Sequence, residues 1–262
     1  PNVVMIILTL LCVLPMLLLL MASFTDEATL TANGYSFFPE KFSTASYEYI
    51  FKASNTVFRA YGITFLVTIV GTACNIVFTI GLAYPLSRPE LKGRNVLAFL
   101  VFFTMLFNGG LVPTYIIYSQ VFHIRDTIFA LLVPTFMMSA FNVILMRNYF
   151  KTNIPDAIIE AAHLDGASEL RTLINVVLPI STPIIGTIGL MAGLAYWNDW
   201  MNGLYYINDD RMYSIQVLLM NIQRDLDSLR QQGQSGGNVN SADLPSTSVR
   251  MALTVMGVLP IM

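Results

Sequence analysis

Charge is what this sequence has least of. Of its 262 residues, 14 are Lys or Arg and 16 are Asp or Glu, so charged residues make up 11% and hydrophobic ones 55%. Ordinary globular chains carry about 25% charged residues. With a mean hydropathy of +0.63, most side chains have no water to face, which excludes a conventional soluble domain and predicts a polytopic membrane protein. The net charge of −2, without a basic tract, gives no footing for nucleic-acid binding. Cysteine is scarce too: Cys12 and Cys74 each lie in an apolar run, where an inert buried thiol is expected rather than a disulfide. His123 and His163 have no second ligand at metal spacing, so neither a metal site nor a catalytic residue is expected. A G-x-x-x-x-G-K-[ST] stretch is absent as well, and any nucleotide chemistry would belong to another chain.

What is present is a series of long uncharged runs. Residues 1–25 hold no charged side chain and no basic region of a secretory signal. They read as a first spanning helix clipped at its cytoplasmic start, with a kink expected at Pro15. Ala60–Ser87 is a 28-residue run closed by Pro85, enough for one tilted span of about 20 residues with its ends. Asn95–Phe122 is interrupted by Asn108-Gly109-Gly110 and Pro113. Thr127–Met146 supplies a fourth span of 20 residues containing Pro134, and Thr172–Asn198 a fifth of 27. Met251–Met262, at twelve residues, is too short to cross a bilayer, so the sequence is expected to stop inside a sixth helix. Between the runs lie a polar, aromatic segment from Asp26 to Arg59 with an Asn33-Gly34 turn and a short interfacial helix expected at Tyr47–Phe51, and a bend at His123, Arg125 and Asp126. A polar loop over 204–249 follows, whose Gln231–Asn240 tract of Gly, Gln, Ser and Asn reads as mobile. The short basic loops, Arg88/Lys92/Arg94 and Arg147/Lys151/Arg171, follow the second and fourth spans. The positive-inside rule puts both in the cytoplasm and the 204–249 loop outside.

The most informative stretch runs from Glu160 to Pro183, EAAHLDGASELRTLINVVLPISTP. Pro155 stands at or near a helix start and Asp156 falls in the first turn, where an acid faces the positive helix end. Ala161 and Ala162 favour helix, and Gly166 is placed to end it in a left-handed cap. The product is a helix of about three turns. Ile158, Ile159, Ala162 and Leu164 give it apolar surface, while Glu160, Asp165 and Glu169 keep it wet. An alanine-rich cytoplasmic turn of no special role would have the same composition; the spacing sets this one apart.

Glu160, Ala161, Ala162, Asp165, Gly166, Ala167, Leu178, Pro179 and Pro183 match the EAA loop of binding-protein-dependent ABC importer permeases. The Asp-Gly pair resembles the carbohydrate branch, and the YEYIF and RAYGITFLVTIVGT stretches are similar to the LplC/YtcP-like permeases for complex oligosaccharides. This resemblance implies an all-α membrane protein, a type I ABC importer permease bundle of six transmembrane helices with first and last truncated, in which 1–262 is one permease domain. It implies that 152–171 is a cytoplasmic coupling loop that lodges in a separate ATPase through Ile158, Ile159, Glu160, Ala161, Ala162, Asp165 and Gly166. Glu160 would pair with a basic group, the alanines would permit close approach, and Asp165 would cap or brace the next helix. The implied partners are a second permease subunit in a heterodimer, an ATPase dimer that binds the ATP and Mg, and an extracytoplasmic solute-binding protein, all at the bacterial cytoplasmic membrane. This chain itself would hold no cofactor and be no enzyme.

Two further features stand in the apolar runs. Gly186, Gly189 and Gly193 include a Gly-x-x-x-Gly pair, read first as packing within the chain. Tyr196-Trp197-Asn198-Asp199-Trp200 reads first as an interfacial belt. Rings that stack on a sugar and a carboxylate that accepts its hydroxyls also make Trp197, Asn198, Asp199 and Trp200 candidates for the substrate path, together with Asn75 and Asn108. Among rival readings, an ABC permease for a polyamine or phosphate shares the motif. A secondary transporter or an intramembrane enzyme would need ionisable groups at mid-depth that the runs lack.

Overall fold

The computed structural model describes residues 2–51, 54–134, 137–234 and 246–258. In chain order the helices are α1 (Asn2–Ser23), α2 (Glu27–Asn33), α3 (Ala45–Phe51), α4 (Ser54–Ser87), α5 (Arg94–Leu106), α6 (Leu111–Ile116) and α7 (Phe129–Leu132). They continue as α8 (Ala140–Asn153), α9 (Asp156–Leu164), α10 (Glu169–Thr172), α11 (Leu178–Ile180), α12 (Thr182–Trp197), α13 (Met201–Tyr206), α14 (Ile215–Gln234) and α15 (Ser246–Val258). Wider π turns at Ile117–Val121 and Leu173–Val177 extend α6 and join α10 to α11. The chain is all-α, and it divides into two compact units, Pro1–Gly62 with Tyr213–Met262, and Ile63–Met212.

The first unit is built on α1 against α15. α1 runs as one helix through Pro15. Ser23 Oγ and Tyr47 Oη lie 2.8 Å apart, so α3, the expected interfacial helix, is tied to the end of α1. Glu27 of α2 caps α15 from outside. Its carboxylate accepts the backbone N–H groups of Thr247 at 2.9 Å and Ser248 at 2.8 Å, and the Ser248 hydroxyl at 2.7 Å. A carboxylate at a helix N-terminus satisfies orphan donors and meets the positive end of the dipole. Burial pushes the Glu27 carboxyl up, but these bonds outweigh it and hold the group below its ordinary value.

The polar stretch read as a loop over 204–249 holds more structure than expected. α13 reaches into its start, and α14 is a 20-residue helix. Ile215, Leu218, Leu219 and Leu226 of α14 are buried, at the spacing of one helix face. That period was present in the sequence, and the polar average of the stretch hid it. The Gln231–Asn240 tract falls outside the described residues beyond Gln234.

The second unit is organised on the long helix α4. Its core joins Ala83, Tyr84 and Leu86 of α4 to Val143, Met146 and Phe150 of α8 and to Ile184 and Ile188 of α12. α12 runs antiparallel to α4, and its glycines make the approach possible. A Cβ on Gly189 would meet Ile76 at 3.4 Å and one on Gly193 would meet Thr72 at 3.5 Å. The Gly-x-x-x-Gly pair therefore packs within the chain. The closest approach comes from α4 itself: a Cβ on Gly71 would run into the Tyr196 ring. That ring cannot readily swing away, because its hydroxyl donates to the Leu132 carbonyl at 2.9 Å.

The apolar runs cross in pieces. α1 and residues 55–87 are unbroken and long enough to span a membrane. The third run bends by 110° between α5 and its α6 continuation, at the Asn-Gly-Gly signal, where Asn108 Oδ1 accepts the Gly110 N–H at 2.9 Å. The fifth bends by 82° between Ile180 and Thr182. Pro183 has no N–H to donate to the Pro179 carbonyl, and the Thr182 hydroxyl takes that acceptor instead at 2.8 Å. The fourth run, expected to be one helix over Thr127–Met146, is two: α7 stops two residues before Pro134, and α8 begins at Ala140 and continues to Asn153. Val133 keeps helical backbone angles, but Pro134 has no N–H with which to carry the helix on, and α7 ends there.

Candidate functional site

The Glu160 stretch forms α9, a short helix that leaves α8 through Ile154 and returns to the bundle through α10. Pro155 is its N-cap residue, with Asp156 in the first turn. Its C-terminus is a Schellman motif: Gly166 N–H donates to the His163 carbonyl and Ala167 N–H to the Ala162 carbonyl, both at 3.0 Å. Gly166 has φ +79°, and nothing lies within 4 Å of where its Cβ would be. Glycine is needed there for backbone conformation and not for space. Asp165 is the C-cap residue of α9. Of the two roles implied for it, capping or bracing the following helix, the cap belongs to Ser168, whose hydroxyl accepts the Arg171 N–H at 3.4 Å.

α9 has two faces. Ile159, 5% exposed, and Ile154, 3%, enter the core beside Phe150 and Tyr84. Ala157, Glu160, Ala161 and Leu164 are exposed, at the i, i+3, i+4, i+7 spacing of a single outward stripe. Leu164 is 89% exposed. The pair Ile158 and Ile159, expected together on the partner-facing surface, is split: Ile158 is 40% exposed, whereas Ile159 is an internal anchor. Burying such a side chain contributes about 1.5–3 kcal/mol, which holds the helix while leaving Ala157, Glu160, Ala161 and Leu164 outward.

The end of α4 meets α9 from below. Tyr84 donates its hydroxyl to Glu169 Oε2 at 2.7 Å, and its ring packs edge-on to Phe150 with centroids 6.4 Å apart. Arg88 lies with its guanidinium carbon 4.9 Å from the Tyr84 ring centre, and its Nη1 is 4.0 Å from Asp156 Oδ1. Glu169 Oε1 is 3.2 Å from His163 Nε2. Arg147 of α8 donates from Nε to the Leu86 carbonyl at 3.0 Å, closing the last turn of α4. A cavity of about 530 Å³ opens beside these residues, walled by Gly81, Pro85, Leu91, Leu170 and Leu173. No local period marks Tyr84 or Arg88, since Glu169, Phe150 and Asp156, which they meet, lie more than 60 residues away.

The residues expected along a substrate path fall in three places. Asn75, 2% exposed, accepts at Oδ1 from Asn142 of α8 and from Thr79, each at 3.4 Å. Amide pairs of this kind join helices where no water can serve the polar groups. Asn108 holds the bend described above. At the far end of α12, Trp197 is buried against Phe65, edge to face at 5.1 Å, Asn198 donates to the Leu194 carbonyl at 2.9 Å, and Trp200 is 43% exposed. Asp199, 6% exposed, accepts the Asn202 N–H at 3.1 Å and its amide at 2.9 Å. Asn202 also donates to the Pro134 carbonyl at 3.1 Å, a partner that the sequence did not suggest. Nearby, Asp126, at φ +53°, accepts the Asn208 N–H at 2.5 Å and its amide at 3.0 Å. These bonds to Asn208 hold the Asp126 carboxyl below its ordinary value.

No family model matches the chain. It is 36% identical over 253 residues to the polygalacturonan/rhamnogalacturonan transport system permease protein YtcP of Bacillus subtilis, covering 97% of this chain and 86% of that one. It is 35% identical over 252 residues to protein LplC of the same species, covering 95% and 82%. Among solved structures it is similar to a bacterial ABC transporter involved in the import of the acidic polysaccharide alginate. That match has a TM-score of 0.82 at 28% identity and covers 99% of this chain and 90% of that one.

Proposed function

The chain belongs to the carbohydrate branch of the ABC importer permeases, a family of multi-pass membrane proteins, and from that premise we propose that it forms half of the translocation path for an oligosaccharide in the bacterial cytoplasmic membrane. A second permease subunit supplies the other half, a separate ATPase dimer binds ATP and Mg, and an extracytoplasmic solute-binding protein delivers the sugar. The ATPase receives α9. The observation that carries this reading is the build of α9: it is anchored in the core by Ile159 and closed by Gly166, and it presents Ala157, Glu160, Ala161 and Leu164 outward. A rigid helix with small outward residues suits insertion into a groove, and the exposed Glu160 is available to a basic group on the groove wall.

The relatives favour a sugar class. YtcP is named for polygalacturonan and rhamnogalacturonan and the solved transporter for alginate; these polymers share uronic acid units. An acidic oligosaccharide is therefore the substrate to test first.

The test is reconstitution of the chain with its partner permease, ATPase and binding protein in proteoliposomes. ATP-driven uptake is expected with uronic-acid oligosaccharides and is expected to fall at least about tenfold in Glu160→Lys, the scale of one lost interfacial charge pair, while membrane insertion persists. Uptake without the ATPase, or wild-type coupling in Glu160→Lys, would overturn the reading.

A further inference from the structure

We propose that Tyr84, Arg88 and Glu169 form a two-point joint that fixes the position and angle of α9 on the end of α4, with Glu169 as the positioning residue through which movement of α9 reaches the long helix. This rests on the coupling role proposed above and adds the part of the chain that receives the movement.

Arg88, the first residue past the end of α4, lies over the ring of Tyr84 in its last turn, its guanidinium carbon 4.9 Å from the ring centre. They reach opposite ends of α9. Arg88 approaches Asp156 in its first turn at 4.0 Å. Tyr84 reaches the last turn through Glu169, whose two oxygens are divided between the Tyr84 hydroxyl at 2.7 Å and His163 at 3.2 Å. The two grips are about 10 Å apart along the helix, so together they oppose rotation as well as displacement. One contact alone would leave α9 free to swing about Ile159.

The burial pattern points the same way. Tyr84 is 5% exposed and Arg88 9%, and the Arg88 Nε makes no hydrogen bond among the described residues. A buried cation with an unsatisfied N–H is costly. Packing alone would be served better by an aliphatic side chain at this position. The Tyr84 ring and Asp156 offset part of that cost, and what the arginine gains is reach to α9. On the outer side, the Asp156 and Glu169 side chains are 79% and 63% exposed. Pairs so placed are weak while water covers them. They strengthen once a protein surface excludes that water, so docking of the ATPase on α9 tightens the joint when force must pass through it.

The test uses the assembled transporter in proteoliposomes and compares Tyr84→Phe, Glu169→Ala and Glu169→Gln with the wild type. The readout is ATP hydrolysis per assembled complex with and without loaded binding protein, with KM for ATP measured alongside. Tyr84→Phe and Glu169→Ala are each expected to lower the stimulation by loaded binding protein about tenfold, the size of a typical coupling between sites, with KM for ATP unchanged. Glu169→Gln keeps an oxygen for the Tyr84 hydroxyl and is expected to lose less than Glu169→Ala. A merely structural role would reduce the amount of assembled complex and leave the stimulation of each complex intact; that result overturns the joint. Should Tyr84→Phe fail to assemble, Glu169→Ala reads the same bond from its exposed side, and full stimulation there overturns the joint equally. A wild-type complex that shows no stimulation at all would instead bring down the coupling reading on which the joint rests.

Discussion

The two ends of the α4–α12 pair treat their carboxylates in opposite ways. At the Trp197 end, Asp199 is 6% exposed and its oxygens are taken up by Asn202, while Asp126 nearby is committed to Asn208. At the Tyr84 end, Glu160 faces outward on a helix that is held by its apolar underside. A carboxylate satisfied within its own chain has little left to offer a visitor, whereas an exposed one on an anchored helix can be read by a partner. The difference supports a bracing role for Asp199 at the start of α13 and a partner-facing role for Glu160.

The contrast can be broken first at Ile159. If α9 is anchored from below, Ile159→Ala loses about 2–5 kcal/mol of stability, seen as a lower thermal midpoint of the purified complex, whereas Ile158→Ala, at the exposed neighbour, moves it little. At the opposite end, Gly71→Val forces a side chain into the tethered Tyr196 ring and is expected to cost about 1–3 kcal/mol; Gly71→Val combined with Tyr196→Ala should recover part of that loss. Gly166→Ala is smaller, about 1 kcal/mol, because only the left-handed backbone is strained and the space is open. It is expected to lower the stability of α9 in hydrogen exchange and to leave the Trp197 end unaffected. The smallest effect is in pH. The folded Asp126 carboxyl titrates below its unfolded value, so the stability it adds is complete above an unfolded pKa of about 3.9 and is lost as pH falls through the lower folded one. Exchange at the Asn208 amide should therefore accelerate on acidification below about pH 4, and Asp126→Asn should remove that pH dependence.

Much of the Tyr84 end, α9 above all, was legible in the chain. Gly166, Asp156 and the alanines act over one or two helical turns, and the structure places the helix and its left-handed cap where they signal it. Asp165 was legible only in part: its position at the cap was clear, yet Ser168, three residues on, takes the next helix. The first bend was announced by Asn108-Gly109-Gly110, whereas the uncharged run Thr172–Asn198 reads as one span and hides the bend before Pro183. The break before Pro134 was announced as well, but the uncharged run around it read as one span, since hydropathy records burial in lipid and not continuity of hydrogen bonding. α14 was lost for the converse reason. Its buried residues recur with a helical period inside a stretch whose average is polar.

By itself, the sequence determined that this chain must lie in a membrane, where its helix between the fourth and fifth runs begins and ends, and that Gly189 and Gly193 allow close approach. These are matters of composition and of neighbours within a few residues. Only the tertiary structure decided that Ile159 turns inward and Ile158 outward, that Asn75 meets Asn142, and that Tyr84 finds Glu169. Each depends on how distant helices settle against one another, and pairing across 60 or 80 residues leaves no mark in local spacing.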